Sequence, residues 1–187
     1  HSLVGSEMCI RDRLCSSSGK AICFNESDVR AMGRSAGGVR GIKLKDEQKV
    51  ISLIIAKDGA VLTTTANGYG KRTSMEDYPR HGRGGQGVIS VQTTDRNGEV
   101  TGAELVQDDD EMMLITSGGT LVRTRVEEVS VMGRNTQGVR LIRLGEDEQL
   151  TGMARIANIK TEDGEEGLLI EDNEEADATD TDIDTTE

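Results

Sequence analysis

The sequence predicts an all-β, propeller-like fold of three repeats, on three observations. A glycine-anchored motif recurs three times, short apolar runs are bounded by turn residues, and no segment sustains helical periodicity over three turns. The recurrence is strict. Gly19, Gly68 and Gly119 open equivalent segments at intervals of 49 and 51 residues. Each is followed 14 residues later by a Gly-Arg pair (Gly33-Arg34, Gly82-Arg83, Gly133-Arg134), and 5 residues after that by a Gly-Val pair (Gly38-Val39, Gly87-Val88, Gly138-Val139). Identical internal spacing in three copies marks a repeat architecture, in which each unit buries its apolar face only by stacking on its neighbours.

Each copy reads as strands. Gly19 to Phe24 and Gly119 to Thr124 begin with a turn glycine and continue with alternating or continuous apolar residues. The run 50–56 (VISLIIA) and the run 60–65 (AVLTTT) flank Lys57-Asp58-Gly59, where Asp-Gly suits a tight hairpin turn. The same pattern predicts a hairpin at Arg96-Asn97-Gly98, between GVISVQTT and EVTGAELV. Strands of this length, repeating near 50 residues, imply blades of about four strands, with repeats over approximately 14–62, 63–113 and 114–160. Residues 75–81 offer the one competing helical reading, and Pro79 spoils it.

Composition fits this reading. Aromatic residues are limited to Phe24, Tyr69 and Tyr78, so the core must be aliphatic. There are 23 glycines against one proline, which suits tight turns rather than a proline-rich linker. No apolar run approaches the ~18 residues a membrane helix needs, and no membrane partner is expected. Cys9, Cys15 and Cys23 form no CxxC pair and have no histidines at metal-ligand spacing, a usage that fits a reducing cytoplasm.

The net charge of −12 misleads as an average. Of 34 acidic residues, 13 lie in 161–187, which contains no Lys or Arg; the remaining 21 are balanced by all 22 basic residues. The last 27 residues are therefore expected to form a disordered acidic tail, because they cannot bury enough surface to offset ordering entropy. Their one apolar cluster is Leu168-Leu169-Ile170. Residues 1–13 (HSLVGSEMCIRDR) share no pattern with the repeats and read as a non-native or disordered leader, with the natural frame extending upstream.

The segments VRAMGRSAGGVRGIKL (29–44) and VSVMGRNTQGVRLIRL (129–144), with GYGKRT (68–73), closely resemble the repeat motif of the DNA gyrase A C-terminal domain. The resemblance spans Leu14 to Ile159. It implies a β-pinwheel that wraps duplex DNA around its rim and so supports ATP-dependent negative supercoiling. It also implies a bacterial, cytoplasmic, chromosome-associated setting, and assembly with the gyrase B protein in an A2B2 heterotetramer through regions outside this chain. ATP and Mg2+ would be used by other domains of the whole enzyme, with no cofactor in this segment. Two features of the family are absent. The Gln-Arg-Arg-Gly-Gly-Lys-Gly heptapeptide does not occur; GRGGQGV (82–88) is the equivalent loop of the middle repeat and not that signature. Neither Tyr69 nor Tyr78 lies in a nucleophile motif, so no catalytic residue is assigned and the segment alone should cut nothing.

The residues also point to DNA without the resemblance. Arg34, Arg83 and Arg134 recur at one place in every repeat, and equivalent places in stacked blades fall on one edge. Around them cluster Arg30, Arg40, Lys43 and Lys45, then Lys71, Arg72 and Arg80, then Arg123, Arg125, Arg140 and Arg143. Guanidinium forks suit phosphate oxygens, and glycines at 37, 38, 84, 85 and 87 would let backbone N–H groups approach them. For any single arginine, solvation of a sheet surface is an equal reading. The lack of aromatic stacking platforms argues against single strands and RNA. Two alternatives stay open: the related C-terminal domain of the topoisomerase IV A protein, and a propeller used for protein interaction.

Other chemistry is not supported. Asp108 to Glu111 lacks the glycine and spacing of a calcium loop and reads as a solvated turn, leaving no metal site. No GxxxxGK[ST] loop exists, and His81 alone cannot supply a triad.

Overall fold

The computed structural model describes residues 11–157. Among these residues eleven strands form three antiparallel sheets, with three short 3-10 turns in the connections. Apart from residues 11–13, the expected leader lies outside the described residues, as does the expected acidic tail with its Leu168-Leu169-Ile170 cluster.

The first sheet contains β1 (Arg11–Ser16), β2 (Lys20–Asn25) and β3 (Val50–Ala56). The second contains β4 (Ala60–Thr65), β5 (Tyr69–Ser74) and β7 (Val100–Val106), and the third β8 (Glu111–Thr116), β9 (Leu121–Arg125) and β11 (Leu150–Ile156). Each repeat glycine closes a hairpin: the N–H groups of Gly19, Gly68 and Gly119 donate to the carbonyls of Ser16, Thr65 and Thr116 at 3.0–3.1 Å. All three have φ between 74° and 82°, the left-handed region in which a side chain is strained.

The fourth strand of each complete sheet comes from the following repeat. β6 (Val88–Ile89) pairs antiparallel with β2 (Ala21↔Val88, Lys20↔Ile89), and β10 (Val139–Arg140) pairs with β5 (Gly70↔Val139, Tyr69↔Arg140). The strand orders are therefore β3-β1-β2-β6, β10-β5-β4-β7 and β11-β8-β9. The third sheet has three strands among the described residues. One edge strand from each sheet meets its neighbour, β3 against β7 and β7 against β11, which sets the exchanged strands at the far edges.

This exchange corrects two expectations. Lys57-Asp58-Gly59 and Arg96-Asn97-Gly98 are not hairpin turns, because β3 and β4 belong to different sheets, as do β6 and β7. The turn residues are local, but the pairing they serve is decided by packing: a Cβ on Gly59 would meet the Val106 carbonyl at 2.6 Å, so the chain there crosses against the next blade. A third correction concerns the leader. Residues 11–13 open β1, and Arg13 is buried with its guanidinium 4.0 Å over the Tyr78 ring.

The core is aliphatic, as composition requires. One cluster joins Leu62 and Val106 of the second sheet to Met112, Leu114, Val126, Val129 and Leu150. Another joins Cys15, Ala21 and Ile54 of the first sheet to Val61, Tyr78 and Ala103. Cys15 and Cys23 are buried and unpaired, and burial pushes the Cys15 thiol up to about 12, which leaves it inert.

Candidate nucleic-acid interface

After the hairpin of each repeat a 3-10 turn (26–28, 75–77, 126–128) starts the loop that carries the recurring arginine. The first of these turns is fixed by capping at Asn25, whose side chain accepts from Ser27 N–H at 3.1 Å while Asp28 accepts from Asn25 N–H at 3.2 Å. The loop then runs back along the preceding blade. Val131 bridges to Arg72, with Arg72 N–H donating to the Ser130 carbonyl and Met132 N–H to the Arg72 carbonyl at 3.1 and 2.8 Å. In the first blade His81 N–H donates to the Cys23 carbonyl at 2.8 Å.

The recurring arginines join consecutive repeats. Arg83 donates through Nε to the Asp28 carbonyl at 2.9 Å and weakly to the Arg40 carbonyl at 3.5 Å; Arg134 donates to the Ile89 carbonyl at 3.2 Å. Arg40 and Ile89 occupy the same repeat position, so the Arg83–Arg40 and Arg134–Ile89 bonds are one junction contact made twice. Arg83 remains exposed and Arg134 half-buried, while Arg34 is exposed.

The remaining sequence candidates divide three ways. Arg30, Arg40, Lys43, Arg80, Arg140 and Arg143 are exposed and have no carboxylate partner within ion-pair distance among the described residues. Arg123 pairs with Glu111 and Arg125 lies 3.6 Å from Glu127, which partly neutralises both. Lys71 and Arg72 are buried, and their assignment to the DNA-facing set is corrected.

The reason for that correction is the loop packing. Lys71 takes the place that Ile22 and Val122 hold in the other repeats, and there its ammonium donates to the carbonyls of Gly133 and Arg134 at 2.7 and 2.6 Å. Burial, and then the nearby Arg134 charge, lower its pKa from 10.5 to about 8. Arg72 donates to the Val129 carbonyl at 2.7 Å and the Glu127 carbonyl at 3.3 Å, and pairs with Asp108. Both residues fasten the third repeat to the second.

The acidic run 108–111 is not simply a solvated turn. Asp108 takes Arg72 and Glu111 takes Arg123; buried Asp110 accepts from Gln107 N–H at 2.6 Å and from Arg155 at 2.6 Å. No cluster suited to a metal ion occurs among the described residues.

One cationic group escaped the sequence reading. Arg96 and Arg140 donate to the Tyr69 hydroxyl, in a shallow pocket that Leu141, Ile142 and Arg143 also line. The only available signal was a break in the repeat: the corresponding loops carry Asp46-Glu47 and Glu146-Asp147-Glu148, where the middle one carries Arg96.

Comparison with known proteins accords with this geometry. A family model described as the DNA gyrase C-terminal domain, beta-propeller, matches residues 14–57, 60–107 and 110–157. The DNA gyrase A protein of Salmonella typhimurium is 59% identical over 145 residues, covering 77% of this chain and 16% of that protein. Its Escherichia coli K12 counterpart is 57% identical over 145 residues (77% and 17%), and that of Pseudomonas aeruginosa 56% over 144 (76% and 16%). The chain thus spans about a sixth of these relatives. Among solved structures, a DNA gyrase A C-terminal domain superposes with a TM-score of 0.74 at 29% identity, covering 80% of this chain and 52% of that one. The C-terminal domain of DNA topoisomerase IV shares the fold, with a TM-score of 0.72 at 24% identity and coverages of 78% and 46%.

Proposed function

The chain belongs to the DNA gyrase A C-terminal domain family, and from that premise we propose that it binds duplex DNA along the far edges of its sheets and bends it there. The observation that carries this reading is the strand exchange. By tying each repeat to the next through backbone hydrogen bonds, it makes three sheets into one array and repeats the same loop at each step. A cation that recurs in that loop then recurs in space, at intervals a continuous polyanion can follow. The exposed cations without a carboxylate partner among the described residues, Arg80, Arg83, Arg140 and Arg143 among them, supply the attraction; phosphate contacts of this kind position DNA without reading its sequence.

In the whole enzyme this activity serves ATP-dependent negative supercoiling, in a cytoplasmic assembly with the gyrase B protein through regions outside this chain. ATP and Mg2+ act in those other regions, and this segment contributes no nucleophile.

Fluorescence anisotropy of the 187-residue chain with a duplex across a salt series tests the reading. If about six cations neutralise phosphates, log affinity falls against log salt with a slope of roughly −5. Absent or salt-insensitive duplex binding would transfer the fold to protein interaction.

A further inference from the structure

Tyr69 opens β5 directly opposite Arg140 of the exchanged strand β10. Its ring is almost fully buried, and its hydroxyl accepts from Arg140 at 2.9 Å and from Arg96 at 3.4 Å. The two guanidinium carbons stand 5.4 and 5.0 Å from the ring centroid, so the aromatic face holds both cations. Arg143 completes the lining of the pocket.

The positions of these groups are fixed by backbone. Asn67, in the β4–β5 hairpin turn, donates to the carbonyls of Asp95 and Arg96 at 3.0 and 3.1 Å. Asn97, fully buried, donates to the Gln92 carbonyl at 2.8 Å and to that of Gln137 in the third repeat at 3.1 Å. The loop bearing Arg96 is thereby tied to the segments that lead into β5 and β10.

Three guanidinium groups line this pocket, and among the described residues no carboxylate does. Like charges held together repel unless an anion joins them. Arg140 and Arg96 both donate to the phenol oxygen, so the neutral hydroxyl still has its own hydrogen for an incoming acceptor. The first blade junction has nothing comparable, since Lys20 faces Ile89 at the same register position.

We propose that Tyr69, Arg96, Arg140 and Arg143 form a preorganised oxyanion site that seats a single phosphate group. That the phosphate belongs to a duplex backbone rests on the DNA-binding reading; the anion site itself rests on the convergence of these four side chains. Arg96 and Arg140 clamp the non-bridging oxygens, Arg143 closes the outer side, and the Tyr69 hydroxyl donates from below.

The test uses the full 187-residue chain, with inorganic pyrophosphate and a short duplex as separate probes. Ultraviolet titration follows Tyr69, whose phenol ionises below the other tyrosine, Tyr78, which burial shifts upward. Pyrophosphate is expected to move the Tyr69 transition to higher pH in the wild type, and Arg96→Gln to abolish that movement. With duplex, Arg96→Gln is expected to reduce the salt slope by about one at unchanged melting temperature. Tyr69→Phe should weaken pyrophosphate binding several-fold. A Tyr69 transition indifferent to pyrophosphate, or an Arg96→Gln slope equal to wild type while the duplex still binds, would overturn the site and leave the DNA reading standing. Pyrophosphate sensitivity without any duplex binding would keep the site and remove the DNA reading.

Discussion

Lys71 in the second repeat and Arg134 in the third are joined directly, the buried ammonium donating to the Arg134 carbonyl at 2.6 Å. A lysine in the interior thus holds the loop that presents an arginine at the surface. The arrangement costs desolvation, and that cost depends on pH.

The folded-state pKa of Lys71, about 8, lies below its ordinary 10.5. Between these values the unfolded chain binds the extra proton, so this group makes stability rise as pH climbs from about 8 towards 10.5 and fall again on the way down. Lys71→Met should flatten that rise and stabilise the fold by about 1 kcal/mol at neutral pH, since Thr136 already donates to both carbonyls, at 3.0 Å each. Urea denaturation at a series of pH values reads both effects.

Arg72 should behave as a structural residue. Arg72→Met keeps the apolar stem but orphans the Val129 carbonyl, at a cost of about 2–3 kcal/mol. Arg30→Ala, at an exposed position, should stay within about 0.5 kcal/mol. Equal destabilisation by the two, measured by equilibrium unfolding, would contradict the buried role.

The exchange strands give a graded glycine test. Gly38 and Gly138 both have positive φ, at 76° and 84°, but a Cβ on Gly138 would meet the Gly70 carbonyl at 2.6 Å while one on Gly38 meets nothing within 4 Å. Gly38→Ala should therefore cost only the left-handed strain of about 1–2 kcal/mol. Gly138→Ala must also displace β10, and its melting temperature should fall further.

The ends of the array are complementary. Among the described residues Gly119 and Leu121 carry the receiving edge without a donated strand, while Gly38 and Val39 carry the donating segment without a receiving blade. An open strand edge with an exposed leucine recruits a matching segment. The 187-residue chain is expected to self-associate head to tail, and Leu121→Pro to abolish this. Sedimentation equilibrium that returns a monomer for both would refute it.

Truncation after Lys160 removes 13 carboxylates, which are expected to compete with phosphate for the cationic edges. Duplex affinity in low salt should increase, and anisotropy with the truncated chain measures it directly.

The blade number was legible because it is local. Turn glycines at fixed intervals and strand-length apolar runs recur with the repeat, and each hairpin closes between residues near in sequence. The ownership of the fourth strand was not legible. Val88-Ile89 and Val139-Arg140 read as continuations of their own repeats, and only packing reveals that they complete the preceding sheet. The same exchange turned two apparent hairpin turns into crossovers.

Charge shows the division most clearly. The sequence by itself determined that cations recur with the repeat and that the acidic excess is concentrated at the end of the chain. Tertiary structure alone decided which cations face solvent. Lys71 occupies a strand position that is apolar in the other repeats and Arg72 follows it, and they are buried because a loop from the next repeat lies across them and supplies carbonyl acceptors. Arg96 gains its neighbours from two other segments of chain. Periodicity fixes which positions are equivalent, whereas the burial of a charge depends on the partners that the whole fold brings to it.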